Sequence, residues 1–321
     1  MKKLVLVLLM TVSGFLFAQE EFAVMELFTS EGCYSCPPAD DYLHNTLIPK
    51  SETENIIPLA FHVTYWDYLG WTDEFGQLQF DDMQKAYANK LGVSPYGTPQ
   101  WALNGTSMEW GTPQAKFAAG SCEVKLDFLL KSVDNTTFYF NYEVTGDYED
   151  ATLYFILTES GLVNDITAGE NNGKTLEHDN VVRIFEAHDL NAGNSGMHNI
   201  YLNEDYNIEE LHLYAYVKNS DMAIIGATQG FDVYEESQTT TINPNRIQSF
   251  EIFPNPVQNI LNLSQVWKEA DTYEIHNLEG KLMLENDITD VINLKSLSKG
   301  KYIICLMSNG KAIGAKLFVK H

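Results

Sequence analysis

The sequence predicts an α/β domain near the N-terminus, followed by an antiparallel β-sandwich and a small all-β domain at the C-terminus. Three observations support this assignment. Strand-like and helix-like patterns alternate up to about residue 110, apolar and polar residues alternate from about residue 122, and the last 72 residues differ in charge from the rest. The length of 321 residues also favours two or three domains over a single core.

The first residues are predicted to form a signal peptide (1–18). Lys2 and Lys3 precede an apolar run, and cleavage is expected after Ala18. The run is too short to span a bilayer, and no later stretch has 18 consecutive apolar residues, so no membrane span is expected after signal removal. We therefore expect export through the periplasm into an oxidising compartment, where a close cysteine pair rests as a disulfide.

Charge is unevenly distributed along the chain. The formal charge of −24 argues against nucleic-acid binding, because phosphate backbones are held by clustered Lys and Arg. Residues 250–321 contain eight Lys and eight acidic residues, so a net charge of −26 lies within residues 19–249. The polar, Thr-rich stretch 235–249 has linker composition. The expected domains are therefore 19–120, 121–234 and 250–321.

The N-terminal domain is predicted to alternate strands and helices. Its elements are a strand at 22–28, a helix at 39–47 preceded by Cys33-Tyr34-Ser35-Cys36, a buried strand at 56–63, a helix at 80–91, and a hairpin at 100–110 preceded by Thr98-Pro99. Two cysteines in a first helical turn can close a small disulfide ring. Because the helix N-terminus stabilises the first thiolate, Cys33 is the expected attacking sulfur and Cys36 the resolving one.

This order of elements resembles a thioredoxin fold. In that family a cis-proline preceded by Thr or Val faces the cysteine pair across the site. The resemblance implies that Thr98-Pro99 does so here, with Pro99 shaping substrate access.

Four stretches resemble a narrower group, the secreted bacterial thioredoxin-like family catalogued as domain of unknown function twelve-twenty-three. They are VMELFTSEGCYSCPPAD (24–40), LAFHVTYWDYLGW (59–71), YGTPQWALNG (96–105) and AGENNGKTLEHDNVVR (168–183). The resemblance covers about residues 22–230. It implies a fold and a redox site but no established substrate.

Several residues around the cysteines differ from the thioredoxin pattern. Gly32 stands where thioredoxins have Trp, and two prolines follow Cys36. Glu31, Asp40 and Asp41 are near the pair in sequence, and carboxylates disfavour a nearby thiolate. Our hypothesis is that the disulfide has a comparatively reducing potential and rests oxidised after export.

The cysteine pair has two other interpretations. It can be a structural disulfide near a helix end, in a non-enzymatic surface or extracellular binding protein. It can also bind copper or zinc, with His62 as the third ligand beside Cys33 and Cys36. Neither His62 nor His44 has a partner at metal-ligand spacing in the sequence.

The aromatic segment 65–71 (YWDYLGW) follows the second buried strand. It can be a packed lid that fills core, or a wall of a substrate groove beside Cys33. In the groove hypothesis, Trp66, Asp67 and Trp71 join Thr98 in contacting substrate, and Asp67 accepts a proton.

From about residue 122 the pattern indicates strands. The predicted strands of the β-sandwich are 124–130, 137–144, 151–158, 180–186, 211–217 and 223–228. His178 and Arg183 are expected to stabilise a turn. Cys122 has no partner that the sequence identifies.

The C-terminal part has its own signature. FEIFPNPVQNILNL (250–263), NLEGKLM (277–283), INLKSLSKGKYII (292–304) and KLFVKH (316–321) resemble the C-terminal sorting domain of type IX secretion substrates. That resemblance implies a small β-sandwich used as an outer-membrane export signal in Bacteroidetes-type bacteria and usually cleaved afterwards. Cys305 lies in an apolar strand and is expected to be a buried small hydrophobe.

Together these features predict an exported thiol–disulfide oxidoreductase that acts on extracytoplasmic protein thiols or disulfides. It would be secreted or held at the cell surface, and residues 250–321 would engage the type IX secretion machinery. No cofactor is expected. The alternatives are the binding protein with a structural Cys33–Cys36 disulfide and the metal-binding protein.

Overall fold

The computed structural model describes residues 21–131, 137–234, 250–264, 270–277, 281–308 and 311–321. The expected signal peptide (1–18) and linker (235–249) lie outside the described residues. Among the residues that are described, no helix combines the length and the apolar composition that crossing a bilayer requires.

The first part of the chain contains all the longer helical segments among the described residues. Its elements are β1 (Glu21–Thr29), α1 (Pro37–Tyr42), a π-helical segment (Leu43–Leu47), α2 (Ile48–Ser51), β2 (Ile56–His62), a 3-10 turn (Asp67–Leu69), α3 (Leu78–Leu91), β3 (Gln100–Leu103), β4 (Ser107–Trp110) and β5 (Ala118–Ala119). The helix α3 ends at Gly92, whose φ of 66° is in the left-handed region that glycine adopts without strain.

The middle part is built from strands. These are β6 (Cys122–Lys131), β7 (Thr137–Gly146), β8 (Thr152–Glu159), β9 (Leu162–Asp165), β10 (Thr175–His178), β11 (Val181–Asp189), β12 (Ser195–Tyr201), β13 (Leu211–Lys218) and β14 (Ile224–Asp232), with a 3-10 turn (Ile208–Glu210) before β13.

One large sheet joins strands from both parts. Its order is β14-β13-β8-β11-β2-β1-β3-β4, and β5 pairs with β1 off this path. The strand β2 pairs in parallel with β1 and also with β11, where Val181 lies opposite Ala60. Both faces of β1 and β2 are buried because helical segments pack on both sides of the sheet at this end.

The prediction of a thioredoxin-like α/β domain followed by a separate antiparallel β-sandwich is therefore wrong. The protein is mostly β, with 50% strand and 14% helix, and has several sheets. The strands β2-β1-β3-β4 are one end of a sheet that continues through β11 into β8, β13 and β14. Local periodicity predicts a strand but not its partner, so the pairing of β11 with β2, far apart in sequence, is not visible in the pattern.

Helices cover both faces of the large sheet at this end. On one face, Phe80 and Tyr87 of α3 pack in a core with Phe28 and Phe61. The rings of Phe61 and Phe80 meet edge to face with centroids 4.9 Å apart. On the other face the helical stretch 37–51 buries Leu43 and Leu47 in a second core with Leu27 and Trp101. Each such buried side chain stabilises the fold by about 2 kcal/mol.

The remaining strands of the middle part form two small sheets. The sheet β12-β7-β6 packs against β8, β13 and β14 through a core that includes Phe140, Phe155 and Leu213. The hairpin β9–β10 pairs Leu162 with His178 and lies beside the cysteine pair.

The C-terminal part is all-β, as predicted. Its strands are β15 (Glu251–Phe253), β16 (Ile260–Ser264), β17 (Thr272–Asn277), β18 (Leu282–Asp287), β19 (Val291–Asn293), β20 (Gly300–Ser308) and β21 (Lys311–Lys320). They form the sheets β15-β16-β19 and β18-β17-β20-β21. The two sheets enclose a core that contains Leu261, Ile292, Ile304 and Phe318.

Candidate functional site

The cysteine pair occupies the turn between β1 and α1. Cys33 and Cys36 are joined by a disulfide bond, and their Cα atoms are 5.4 Å apart. The Cys36 amide donates to the Cys33 carbonyl over 3.2 Å, and the Cys36 carbonyl accepts the Asp40 amide over 3.2 Å. Pro37 and Pro38 occupy the first positions of α1, where a missing N–H removes no helical hydrogen bond. The sequence therefore places the disulfide at the start of the helix.

Both cysteines are almost inaccessible to solvent. Cys33 is 1% exposed and Cys36 is 0% exposed, whereas Tyr34 between them is 68% exposed. The Sγ atom of Cys33 lies 3.4 Å from Oγ of Ser35 and 3.7 Å from the carbonyl oxygen of Thr98. The turn residues Tyr34 and Ser35 on one side and Thr98 on the other therefore bound the approach to the disulfide.

The segment before Pro99 forms one wall of the site. The Thr98–Pro99 peptide bond is cis, and Thr98 is buried. Gln84 Nε2 donates to the Gly97 carbonyl over 2.7 Å, and Trp66 Nε1 donates to the Thr98 hydroxyl over 2.7 Å. These hydrogen bonds hold Thr98 in position against Cys33.

Two of the aromatic residues after β2 pack against the cysteine turn. A Cβ atom at Gly32 would stand 2.8 Å from Cβ of Trp66, so only glycine fits there without displacement. The indole Nε1 of Trp71 donates to Glu31 Oε2 over 2.8 Å. Trp66 and Trp71 thus support the turn and the Thr98 wall.

Asp67 and Tyr68, which follow Trp66 in the same loop, differ in exposure. Asp67 Oδ1 accepts the Asp73 amide over 3.2 Å, and burial raises the pKa of Asp67 above its ordinary value. Tyr68 is 77% exposed, and its ring stacks on Trp66 with centroids 6.4 Å apart. Of the four groove residues expected from the sequence, the structure brings Trp66 and Thr98 into direct contact.

A group of titratable side chains lies beside the disulfide turn. We call it the carboxylate–histidine cluster, and its members are Glu31, Asp40, His62, Asp73 and His178. His62 Nδ1 and Asp73 Oδ2 are 2.8 Å apart, and His178 Nε2 and Glu31 Oε1 are 3.2 Å apart. The two imidazole rings meet edge to face with centroids 4.9 Å apart. The remaining nitrogens, His62 Nε2 and His178 Nδ1, are buried and have no hydrogen-bond partner among the described residues.

The cluster perturbs two of its carboxyl groups in opposite directions. Burial raises the pKa of Asp40 to about 7, although the charge of His178 and the 3.2 Å hydrogen bond from the Thr29 hydroxyl act to lower it. Burial also acts to raise the pKa of Asp73. There it is outweighed by the imidazole of His62 and by backbone amide donors, so the pKa of Asp73 is lowered.

The segment around the β9–β10 hairpin closes over the cysteine turn. Asn171 Nδ2 donates to the carbonyl oxygens of Glu31 and Cys33 over 2.7 and 2.9 Å. Glu170 Oε2 accepts the Tyr34 amide over 3.0 Å. These contacts fix the backbone of the turn from outside, in addition to its own hydrogen bonds.

Sequence reasoning missed Asp73, Asn164 and Asn171, and it assigned His178 to a turn. Asn164 Nδ2 donates to Glu31 Oε1 over 2.9 Å, so it belongs to the same polar network. A usable signal existed for Asn171 and His178, because both lie in the fourth resembling stretch, 168–183. Asp73 and Asn164 carry no local pattern that marks them.

The metal site considered from the sequence, with Cys33, Cys36 and His62 as ligands, is not assembled among the described residues. Among the described residues, no group of three or more His, Cys, Asp or Glu side chains is arranged to hold a metal ion. His62 points one ring nitrogen at Asp73 and packs its ring on Phe75 and His178. The set Cys33, Cys36 and His62 is therefore not brought together as ligands.

The other two cysteines are buried thiols. Cys122 lies against the carbonyl oxygen of Ile225 at 3.5 Å, and burial raises its pKa to about 12. Burial likewise raises the pKa of Cys305 to about 12. Neither thiol forms an appreciable thiolate near neutral pH.

Comparison with known proteins places these features in a family. Residues 24–218 match the family described as protein of unknown function (DUF1223), and residues 251–320 match the secretion system C-terminal sorting domain. No curated protein matches the sequence. A similar solved structure is the crystal structure of an Agrobacterium tumefaciens protein, 23% identical, with a TM-score of 0.46, covering 66% of this chain and 95% of that one.

The sorting domain implies an interaction with the type IX secretion machinery and a secreted or cell-surface location. The chain belongs to the family of proteins of unknown function that its residues 24–218 match, and it carries a type IX sorting domain at residues 251–320.

Proposed function

We propose that Cys33 and Cys36 form a thiol–disulfide exchange site that acts on extracytoplasmic protein thiols. The observation that carries this proposal is the disulfide at the N-terminus of α1, with Cys33 Sγ facing the Thr98 carbonyl at 3.7 Å. A helix N-terminus favours a thiolate, and we place the substrate on the side of Cys33 that Thr98 and Pro99 border.

The exchange proceeds in two displacements. A substrate thiolate attacks Cys33 Sγ, the new S–S bond forms, and the Cys33–Cys36 bond breaks with its electron pair left on Cys36. A second substrate thiolate then attacks the substrate sulfur of this mixed disulfide and releases Cys33 as a thiolate. In this direction the substrate dithiol is oxidised to a disulfide, and the Cys33–Cys36 pair is reduced by two electrons. The reverse sequence, which a pair of comparatively reducing potential favours, reduces a substrate disulfide and returns Cys33 and Cys36 to the disulfide.

Asp40 is the group that we assign to proton transfer. It lies one turn beyond Cys36 on α1, and side chains four residues apart lie on the same face of a helix. With a pKa raised to about 7 by burial, its carboxyl is partly protonated at neutral pH and can supply a proton to the Cys36 thiolate.

The proposed substrate contacts are the residues that surround the approach to Cys33. Thr98 and Pro99 form one side, and Trp66 supports Thr98 from behind. Asp67 and Trp71 act through the loop that they hold in place. The exposed rings of Tyr34 and Tyr68 offer apolar surface to an extended polypeptide.

A second candidate is a surface or extracellular binding protein in which this disulfide is structural. The burial of both cysteines favours it, because a sulfur that is 1% exposed or less is shielded from a protein-sized attacker. The two hydrogen bonds from Asn171 also favour a rigid turn.

Accessibility of the bond separates the two candidates. The folded protein, with Cys122 and Cys305 replaced by Ser, is treated with dithiothreitol and then alkylated, and the masses are measured. Exchange requires that two thiols be labelled without denaturant. Labelling only after unfolding supports the structural disulfide.

Trapping provides the second measurement. In the same background, reduced Cys36→Ser is mixed with a peptide that carries an activated disulfide, and Cys33→Ser is the matched control. Exchange predicts a peptide adduct on Cys36→Ser and none on Cys33→Ser. Equal adduct levels in the two variants would contradict the assignment of Cys33 as the sulfur that forms the mixed disulfide with the substrate.

A further inference from the structure

The sorting domain presents two outer sheet faces, and the β20–β21 part of one of them is already covered. Alternate residues of β20 are buried against the sheet β12-β7-β6 of the preceding part. Ile303 and Cys305 share a core with Tyr139 of β7. Cys305 Sγ lies 3.4 Å from Met197 Sδ, and Asn141 Nδ2 donates to the Ala312 carbonyl over 3.1 Å. This sheet therefore packs on the protein's own body.

The other sheet, β15-β16-β19, exposes apolar side chains on its outer face. Its register places both Phe253 and Val291 opposite Asn262, so the three residues form one row across the strands. Ile260 is two residues from Asn262 and shares its face. Phe253, Ile260 and Val291 are 52%, 41% and 52% exposed.

The inner face of the same sheet shows why these exposed residues are not part of the core. Leu261, Leu263 and Ile292 alternate with the exposed residues and are buried in the core of the sorting domain. Burial of these inner-face side chains is enough to pack the sheet onto the core of the sorting domain. The outer apolar row keeps about half of its side-chain surface exposed, and several such side chains grouped on one face mark an interaction surface.

The neighbours of this row define the partner's chemistry. Asn262 lies within it, and its Nδ2 donates to the Phe253 carbonyl over 3.0 Å. Asn293 lies opposite Ile260. Glu251 is two residues before Phe253 and shares this face, and its carboxylate lies 3.8 Å from Lys316 Nζ. A centre of apolar side chains with amides and a carboxylate at its rim suits an apolar protein surface with a polar rim. The described residues of this face include no cluster of basic side chains of the kind that binds anionic lipid.

We propose that the outer face of β15-β16-β19, centred on Phe253, Ile260 and Val291, is the surface through which the secretion machinery reads the sorting domain. The match of residues 251–320 to a secretion sorting domain requires a receptor for this part of the chain. The face formed by β20 is occupied by the body. The outer face of β15-β16-β19 is open while the rest of the protein is folded, so sorting needs no undocking. This proposal does not depend on the cysteine site.

The test is export of the full chain from a host that has a type IX system. The triple variant Phe253→Ser, Ile260→Ser, Val291→Ser is compared with the wild type by quantitative immunoblotting of periplasm, cell surface and medium. The triple variant removes three apolar side chains from the proposed contact, so we expect the exported fraction to fall about tenfold or more, with the protein accumulating in the periplasm.

The matched control is Leu282→Ser, Met283→Ser on β18. These residues are similarly exposed, at 45% and 40%, but lie in the other sheet. The control variant is expected to be exported normally. Thermal unfolding of both purified variants checks that the sorting domain is folded, and the single variant Val291→Lys replaces the triple variant if that one is unfolded.

Three results would overturn the proposal. The first is normal export of a folded triple variant or of Val291→Lys. The second is an equal export defect in the control. The third is a wild-type dimer that dissociates in the triple variant, which would assign the face to a second copy of the chain.

Discussion

Gly32 and Trp66 are in direct contact beside the disulfide: a Cβ atom on Gly32 would lie 2.8 Å from Trp66 Cβ and 3.3 Å from the Trp66 carbonyl oxygen. The contact joins the cysteine turn to the loop that follows β2. Through the Nε1 hydrogen bond of Trp66 it also joins the turn to Thr98, on the other side of the site.

The first prediction concerns this contact. Gly32→Ala forces the Trp66 backbone to move, and overpacking of this kind destabilises a protein by about 1–3 kcal/mol. Gly193→Ala is the control, because a Cβ there meets nothing closer than 3.9 Å. The free energy of unfolding is measured by urea denaturation. A loss no greater than that of the control would show that the contact is not tight.

The second prediction concerns the side chain that fixes the cysteine turn from the β9–β10 loop. Asn171→Ala leaves the buried carbonyl oxygens of Glu31 and Cys33 without this donor, and we expect a loss on the order of 2 kcal/mol in unfolding free energy. Asn172→Ala is the matched control, since the neighbouring side chain is exposed. Faster reduction of the disulfide by dithiothreitol in Asn171→Ala should accompany the loss, and equal stability of the two variants would contradict the prediction.

The third prediction is a pH dependence set by Asp40. Its pKa is raised from 3.8 to about 7 in the folded state, so the folded protein binds more protons than the unfolded chain between these values. Its contribution to stability is therefore fully present below about pH 4 and is lost as the pH rises through about 7. The loss is at most about 4 kcal/mol.

Replacing the carboxyl group tests this dependence. Asp40→Asn keeps an acceptor for the Thr29 hydroxyl but cannot ionise, so it should be more stable than the wild type at pH 8 and similar to it at pH 4. Asp41→Asn, at the exposed neighbouring position, is the control and should show no such crossover. Parallel stability curves for the wild type and Asp40→Asn across this range would refute the assignment.

The fourth prediction concerns a buried ion pair in the large sheet. Glu26 accepts the hydroxyl groups of Tyr87 and Tyr216 over 2.6 and 2.7 Å, and Lys218 Nζ lies 3.6 Å from it. Burial lowers the pKa of Lys218 despite the nearby carboxylate. Lys218→Met leaves a buried carboxylate without its counter-charge and should cost about 3 kcal/mol.

A double-mutant cycle measures this pairing. Lys218→Met combined with Glu26→Gln should lose less than the sum of the single variants, with a coupling energy of about 1 kcal/mol or more. The exposed pair Lys90 and Asp221 is the control, and breaking it should leave stability nearly unchanged, because solvent screens the two charges. Strict additivity of the buried pair would show that the two charges do not interact.

The six strands predicted for the middle part correspond to β6, β7, β8, β11, β13 and β14, and the reason is local. The strands β9, β10 and β12 were not predicted. Thr137–Gly146 and Leu211–Lys218 are rich in aromatic and β-branched residues and alternate in polarity in part, and this pattern depends only on neighbouring residues. In the structure both strands are buried on both faces over most of their length. The C-terminal strands could be predicted for the same reason. The division into an α/β domain and a β-sandwich failed because it required knowledge of which strands pair.

The candidate site likewise has one part that could be predicted from the sequence and one part that could not. The spacing of Cys33 and Cys36, the prolines that start the helix and the Thr98-Pro99 dipeptide are all present in the sequence. The carboxylate–histidine cluster is not present in the sequence pattern, because its members come from the turn after β1, from α1, from β2, from the loop before α3 and from β10. His178 and Glu31, which are in contact, are 147 positions apart. No periodicity connects residues so far apart.

The sequence by itself determined the disulfide-forming pair, the positions of most strands, the sorting domain and the acidic character of the part that precedes it. Short-range rules govern these features, since helix starts, alternation and composition are properties of neighbouring residues. Only the tertiary structure decided that β11 joins β2, that two histidines and three carboxylates meet beside the disulfide, and that Phe253, Ile260 and Val291 remain exposed. These depend on long-range pairing, whose free energy comes from burying surfaces that lie far apart along the chain.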